Sequence, residues 1–141
     1  MMQGAQIVDS FIKFLRNSEG IAVERSFVSR NVFNVTGRIN VLLYVKGRAE
    51  SPYRWGVTAN VVRRLQQQEI KWFVVLLFES ESTGYLLSSK DVMKYIRKTW
   101  PLAGDGDYKP AAGSYLKQSY PFSSFDQFLS QLSDRSQRTK A

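Results

Sequence analysis

An uninterrupted apolar segment in the middle of the chain constrains the fold more than any other feature. The residues from Trp72 to Phe78 are seven apolar side chains in a row. A strand with one face in solvent would alternate apolar and polar residues, so the segment 71–78 is typical of a central strand covered on both faces. Seven residues are also far fewer than the roughly 20 needed to cross a bilayer, so no membrane span is expected.

The segments before this strand supply a helix, a meander of strands and a second helix. Apolar residues at helical spacing predict an amphipathic helix over 5–18, ended by Gly20. The composition of 21–46 predicts two or three antiparallel strands, with turns at Asn34, Gly37 and Arg38. The clearest strand is 39–46, whose odd positions form one apolar face. A helix over about 57–68 is then expected to cross over to a parallel strand at 71–78.

The second half of the sequence continues the alternation of strands and helices. A short strand is predicted over 85–87, and Ser88 and Asp91 have the spacing of a capping box for the helix that follows. A long loop over 101–122 precedes a last helix, capped by Ser123 or Ser124. The sequence predicts one α/β domain over 1–132, with a mixed central β-sheet flanked by helices, and a basic, disordered tail over 133–141.

Cysteine and histidine are both absent, which excludes several classes of site. There is no disulfide framework, no thiolate nucleophile, no Ser-His-Asp triad and no usual zinc site. Any metal would have to be a hard cation bound by oxygen, and any proton transfer would have to use a carboxylate, Lys or Tyr. No signal peptide is apparent, so the expected location is cytoplasmic.

Most of the net charge of +8 lies in one stretch of the chain. The segment from Gly20 to Arg64 holds eight basic residues, seven of them Arg, and only two acids. Arginine binds phosphate oxygens in a fork and stacks on bases, and Tyr53 and Trp55 place aromatic rings beside Arg54. This pattern predicts a polyanion partner, most simply nucleic acid. The alternative is a solvated face that keeps the protein soluble.

Lys46 is the residue of greatest chemical interest. It lies at the end of the clearest strand, directly before Gly47 and the loop that leads to the crossover helix. A lysine there can point from the sheet toward a phosphate or a nucleophilic water, or it can simply reach solvent. Tyr44 lies on the same face of the strand.

The element order resembles the PD-(D/E)XK nuclease superfamily, whose fold is restriction-endonuclease-like. The residues that carry the resemblance are Tyr44-Val45-Lys46-Gly47, Arg54 to Leu65, Trp72 to Leu77 and Gly84 to Ser88. The element order that resembles the family is an N-terminal helix, a meander whose third strand ends in Lys-Gly, a crossover helix, a buried strand and a second helix. The resemblance covers about residues 5–132.

The resemblance implies a metal site that this sequence lacks at the expected positions. In the family, an Asp on the second strand and a Glu two residues before the Lys bind Mg²⁺, which activates the attacking water. Here Lys46 matches the Lys, but Tyr44 stands at the Glu position and Asn31 or Asn34 at the Asp position. No acidic residue occurs between Arg25 and Ala49.

Three hypotheses about function remain. In the first, the domain binds nucleic acid, needs no metal and has lost hydrolysis; its expected binding residues are Asn34, Tyr44, Lys46, Arg48, Arg54, Trp55, Arg63 and Arg64. In the second, it is an active Mg²⁺-dependent nuclease that uses Lys46 with relocated carboxylates, Glu24 and Glu50, or Glu19. The excess of basic residues favours the first, because a dication needs an anionic pocket. In the third, a basic face binds an acidic protein.

The remaining expectations concern partners and one short acidic segment. DNA is expected ahead of RNA as the ligand, and the resemblance leaves a homodimer open because small nucleases of this fold often act as dimers. The segment 104–107 contains two Asp residues between glycines, but it lacks the longer spacing of a calcium loop and is interpreted as a turn.

Overall fold

The computed structural model describes residues 3–112, 116 and 120–136. Within them the helices are α1 (Gly4–Arg16), α2 (Ala59–Gln66), α3 (Ser89–Lys98) and α4 (Phe125–Ser136). The strands are β1 (Ile21–Arg25), β2 (Val32–Gly37), β3 (Val41–Arg48), β4 (Val57–Thr58), β5 (Trp72–Phe78), β6 (Gly84–Ser88), β7 (Asp107–Tyr108) and β8 (Tyr120–Phe122). None of the described helices is long and apolar enough to span a membrane.

The strands form a mixed six-stranded sheet in the order β1-β2-β3-β5-β6-β8. The meander β1-β2-β3 is antiparallel, β3 and β5 are parallel, and β5, β6 and β8 are again antiparallel. Helix α2 lies between β3 and β5 in the chain, so it is the crossover that a parallel pair requires. The predictions of an α/β fold, a mixed sheet and a crossover helix before the central strand are confirmed.

Alternation along β3 divides the core into two layers. Val41, Leu43 and Val45 belong to the apolar cluster that includes the buried residues of α1 and α4. Leu42 and Tyr44 belong to the cluster that includes the buried residues of α2 and α3. Both clusters continue through β5, which explains why that strand is apolar at every position. The two-stranded ribbon β4–β7 lies on the α2 side, where Val57 is part of the second cluster.

The predicted caps of α3 and α4 are present where the sequence placed them. The Ser88 hydroxyl accepts from the Asp91 N–H at 3.2 Å, and the Asp91 carboxylate accepts from the Ser88 N–H at 3.2 Å. This reciprocal pair satisfies two donors that the first turn of α3 would otherwise leave unpaired. For α4 the cap is Ser124, whose hydroxyl accepts from the Gln127 N–H at 3.1 Å.

Three boundaries differ from the predictions. Asn34 is not a turn residue, because it lies inside β2 and pairs with Leu42. Strand β3 continues to Arg48, two residues into the predicted loop. Helix α4 continues to Ser136, so the prediction of a disordered tail is wrong for 133–136, and 137–141 lie outside the described residues.

The extension of α4 has a clear physical cause in Arg135. Its guanidinium donates to the Asp91 carboxylate at 2.7 Å and to the Leu86 carbonyl at 2.9 Å. The same group lies 4.0 Å from the centre of the Tyr120 ring. These contacts attach the last turn of α4 to α3, β6 and β8.

Candidate nucleic-acid interface

A cleft of about 280 Å³ lies at the C-terminal end of β3. Its polar lining residues are Asp9, Arg25, Arg30, Asn31 and Lys46, and Val8 and Phe33 supply apolar surface. We call it the basic cleft. Strand register brings these residues together, because the Val45 N–H donates to the Asn31 carbonyl at 3.0 Å and Arg25 pairs with Phe33. The loop 26–31 between β1 and β2 therefore ends beside Lys46.

The charge of the basic cleft is unbalanced. Three of its lining residues, Arg25, Arg30 and Lys46, are cationic, and one, Asp9, is acidic. Within the described part of the chain, none of the three cations forms an ion pair. Arg25 and Arg30 are exposed, and the Arg25 guanidinium lies 5.6 Å from the centre of the Phe33 ring. The cleft therefore presents cationic donors to an anion in solvent.

Gly47 explains how α1 comes to border this cleft. A Cβ atom on Gly47 would lie 2.5 Å from the Gly4 carbonyl oxygen and 3.2 Å from a Val8 methyl group. The absence of a side chain thus allows the first turn of α1 to pack directly on β3. This contact places Gly4 and Ala5 along the cleft beside Lys46.

Lys46 itself is only partly exposed, and its environment is electrostatically mixed. Burial lowers the pKa of its ammonium below the usual range of lysine, and nearby Lys109 lowers this pKa further. Asp107 acts in the opposite direction and raises it. Asp107, in the segment interpreted as a turn, is thus the carboxylate that acts on Lys46. Lys109 itself forms an ion pair with Asp105 at 2.8 Å.

Two of the predicted binding residues are part of the core, and for them the prediction is wrong. Tyr44 is 2% exposed, and its hydroxyl accepts from the Thr58 N–H at 3.1 Å. Burial raises the pKa of this phenol. Trp55 is 3% exposed, and its indole N–H donates to the Leu77 carbonyl at 2.8 Å. Neither ring is available for a phosphate or a base.

The buried position of Tyr44 leads to a prediction. Replacing Tyr44 with Phe is expected to lower the free energy of unfolding by about 1–3 kcal/mol, because the Thr58 N–H loses its acceptor. Chemical denaturation measures the change, and Tyr120→Phe, at an exposed ring, serves as the control. An unchanged midpoint for Tyr44→Phe would show that water replaces the hydroxyl at no cost.

Asn34 and Arg64 meet at a second cleft, on the other side of the β1–β2 loop. This cleft, of about 270 Å³, is also lined by Phe27, Leu42, Gln68 and Ile70. We call it the Phe27 cleft. The Arg64 guanidinium donates to the Phe27 carbonyl at 3.1 Å, which ties α2 to the loop. Asn34 and Arg64, which were both predicted to bind nucleic acid, thus line the same cleft, but it is not the cleft that Lys46 lines.

The other three predicted arginines are exposed and lie outside both clefts. Arg63 donates to the Asn60 side chain at 3.2 Å, and Arg48 donates to the Glu50 carbonyl at 3.1 Å. Arg54 forms an isolated bridge with Ala111. Their contribution to an interface remains a prediction.

The candidate metal ligands Glu24 and Glu50 are not brought to Lys46. Glu24 pairs with Asn34, which pairs with Leu42, so it is level with a residue four positions before Lys46 on β3. Four residues of strand span about 13 Å. Glu50 is exposed and does not line the basic cleft. Among residues 3–112, 116 and 120–136, no group of three metal-binding side chains is found.

The side chains that line the basic cleft also do not fit Mg²⁺. A magnesium ion needs oxygen ligands, commonly from one or two carboxylates, and is repelled by cations. The basic cleft offers one carboxylate, Asp9, among three cations. An anion such as a phosphate therefore suits the residues of this cleft better than a dication does.

Sequence reasoning missed Arg25 and Arg30 as members of the site. Both belong to the basic segment, but their convergence on Lys46 depends on the register of β1 and β2, which the sequence does not state. Comparison with known families, with curated proteins and with solved structures found no match.

Proposed function

We propose that the protein binds nucleic acid through the sugar-phosphate backbone and has no hydrolytic activity of its own. The observation that carries this proposal is that Arg25, Arg30 and Lys46 line one open cleft, in which the exposed Arg25 and Arg30 form no ion pair within the described residues. A row of phosphates would neutralise these cations and release the counterions that surround the nucleic acid.

The topology supports a restriction-endonuclease-like fold as part of the proposal. Apart from the two-residue strand β4, the order α1-β1-β2-β3-β4-α2-β5, with β5 parallel to β3, is the order on which the resemblance to PD-(D/E)XK nucleases is based. Lys46 lies two residues before the C-terminal end of β3, near the place where that resemblance expects the lysine. DNA is proposed ahead of RNA as the ligand, and the resemblance keeps a homodimer open.

Loss of hydrolysis is supported by the residues at the two positions where the resemblance expects carboxylates. Family chemistry needs two carboxylates at the metal, and here Tyr44 at the Glu position is buried with its hydroxyl bonded to Thr58. Asn31, one of the two candidates for the Asp position, lines the cleft. An amide binds a phosphate oxygen through its N–H, whereas it is a weak ligand for a dication.

The first test measures the salt dependence of binding. With labelled DNA or RNA in fluorescence anisotropy, the logarithm of the affinity should fall linearly with the logarithm of salt concentration. Three phosphate contacts give a slope of about −2 for single strands and about −3 for duplexes. Lys46→Ala should weaken binding by about tenfold. The control is Lys98→Ala, at an exposed cation on α3.

A second measurement separates binding from catalysis. Nucleic acid incubated with the protein and Mg²⁺ or Mn²⁺ should stay intact. Cleavage that Lys46→Ala abolishes would contradict the proposal and select the relocated-carboxylate nuclease. Absence of binding to any nucleic acid at low salt would instead favour an acidic protein as the partner of this surface.

A further inference from the structure

Phe27 is fully exposed, with a relative exposure of 102%, although the loop that carries it is well anchored. The Ser26 N–H donates to the Val32 carbonyl at 2.8 Å, and the Ser26 hydroxyl accepts from the Val28 N–H at 3.1 Å. The next side chain, Val28, is buried in the α2-side core. Hydrogen bonds and the buried Val28 side chain thus fix the loop on both sides of Phe27, while the Phe27 ring is exposed to solvent.

The surroundings of Phe27 combine apolar surface with positive charge. Ile70 and Leu42 line the same cleft, and Ile70 is exposed. The Arg64 guanidinium donates a hydrogen bond to the Phe27 carbonyl. At the two ends of the same loop, Arg25 and Arg30 line the basic cleft. An occupant of this surface must therefore offer an apolar, flat face together with negative charge on both sides of it. A nucleobase between two phosphates has this chemistry.

We propose that Phe27 stacks on an unpaired nucleobase, which makes single-stranded nucleic acid the preferred ligand. This inference rests on the proposed function and adds the class of substrate to it. In a continuous duplex both faces of each base are covered by neighbouring bases, so the ring of Phe27 has nothing to stack on. In a single strand a base can turn onto the ring while its phosphates contact the arginines, and any base can do so.

A tryptophan at position 27 provides a direct readout. The native tryptophans Trp55, Trp72 and Trp100 are all buried, so Phe27→Trp adds the one exposed indole of the chain. Single-stranded oligonucleotide should quench the emission of this indole. Inorganic polyphosphate, which has the charge but no bases, should bind without quenching it. Equal quenching by polyphosphate would overturn stacking.

Binding affinities of Phe27 variants test how much base stacking contributes to binding. Phe27→Ala should weaken binding to a single-stranded oligonucleotide by about tenfold and leave binding to polyphosphate and to a duplex of equal length unchanged. Phe27→Tyr should retain the native affinity. Leu102→Ala, at a side chain that is 57% exposed elsewhere on the surface, serves as the control and should change nothing.

The outcomes distinguish this inference from the proposal beneath it. Equal affinity for single strands and duplexes, unchanged by Phe27→Ala, would overturn stacking and leave backbone binding intact. No binding to nucleic acid or polyphosphate would overturn the proposed function itself. A dimer in light scattering that Phe27→Ala dissociates would assign this surface to a second copy of the chain and overturn the inference.

Discussion

Reversing the charge of Arg25 and Arg30 together is expected to weaken nucleic-acid binding by on the order of 100-fold. A hydrogen bond to a charged group contributes about 1.5–3 kcal/mol, and each tenfold change in affinity corresponds to about 1.4 kcal/mol. Arg25→Glu with Arg30→Glu removes two such donors and adds two repulsive charges beside Lys46. The slope of affinity against salt concentration should also become shallower by about 1.4 or more, since two phosphate contacts are lost.

The control for this double variant has the same change in net charge. Arg97 and Lys98 are exposed in the last turn of α3, and their double reversal also lowers the net charge from +8 to +4. If binding depends on overall charge alone, both double variants will weaken it equally, and the proposed site will be wrong. The thermal unfolding midpoint of the Arg25→Glu, Arg30→Glu variant should also be measured, because the native Arg25 guanidinium lies over the Phe33 ring. An unchanged midpoint shows that the loss of binding is not a loss of folding.

Gly47→Ala is expected to destabilise the fold by about 1–3 kcal/mol, with a value near the upper limit. The added methyl group would lie 2.5 Å from the Gly4 carbonyl oxygen, and backbone atoms cannot rotate away as the end of a side chain can. Helix α1 would have to move off β3, which would also widen the basic cleft. Urea unfolding measures the loss, and binding should weaken in the same variant.

Gly104→Ala is the matched control for that substitution. A Cβ atom at Gly104 would meet nothing within 4 Å, so the change in unfolding free energy should stay within about 0.5 kcal/mol. Equal stability of the Gly47 and Gly104 variants would mean that α1 adjusts easily, and that the contact does not determine the width of the cleft.

Most of the fold could be predicted because local patterns and tertiary packing agree. The alternation of β3 identified both of its faces, and the apolar run of β5 identified a strand covered by helices. The reciprocal cap of Ser88 and Asp91 is a purely local device, and it is formed. Asn34 was predicted wrongly because its intrinsic preference for turns is weaker than the pairing offered by β1 and β3 on either side.

The site could be predicted only in part. The position of Lys46 near the end of β3 followed from the sequence, although the strand continues two residues further. The partnership of Lys46 with Arg25 and Arg30 required the hairpin register, and the effect of Asp107 on Lys46 required β7 to pair with β4. Both are contacts between residues far apart in the chain, which local spacing does not encode.

Tyr44 and Trp55 show why polar aromatic residues are hard to assign from sequence. Each ring has a polar atom that suits a ligand, but the same atom also satisfies a backbone partner inside the protein. Leu42 on the face of Tyr44 was the available signal, because an apolar neighbour two residues away indicates that this face is covered. For Trp55 the cover comes from Phe78 and Tyr85, which only the folded sheet brings near.

Arg135 has a practical consequence for anyone who shortens this chain. Its guanidinium joins the last turn of α4 to the cap of α3 and to the backbone of β6. A polypeptide stopped at residue 132 would leave the Leu86 carbonyl and one acceptor position of Asp91 without this donor. A shortened chain should therefore include Ser136, the last residue of α4, and a C-terminal fusion should be attached after it.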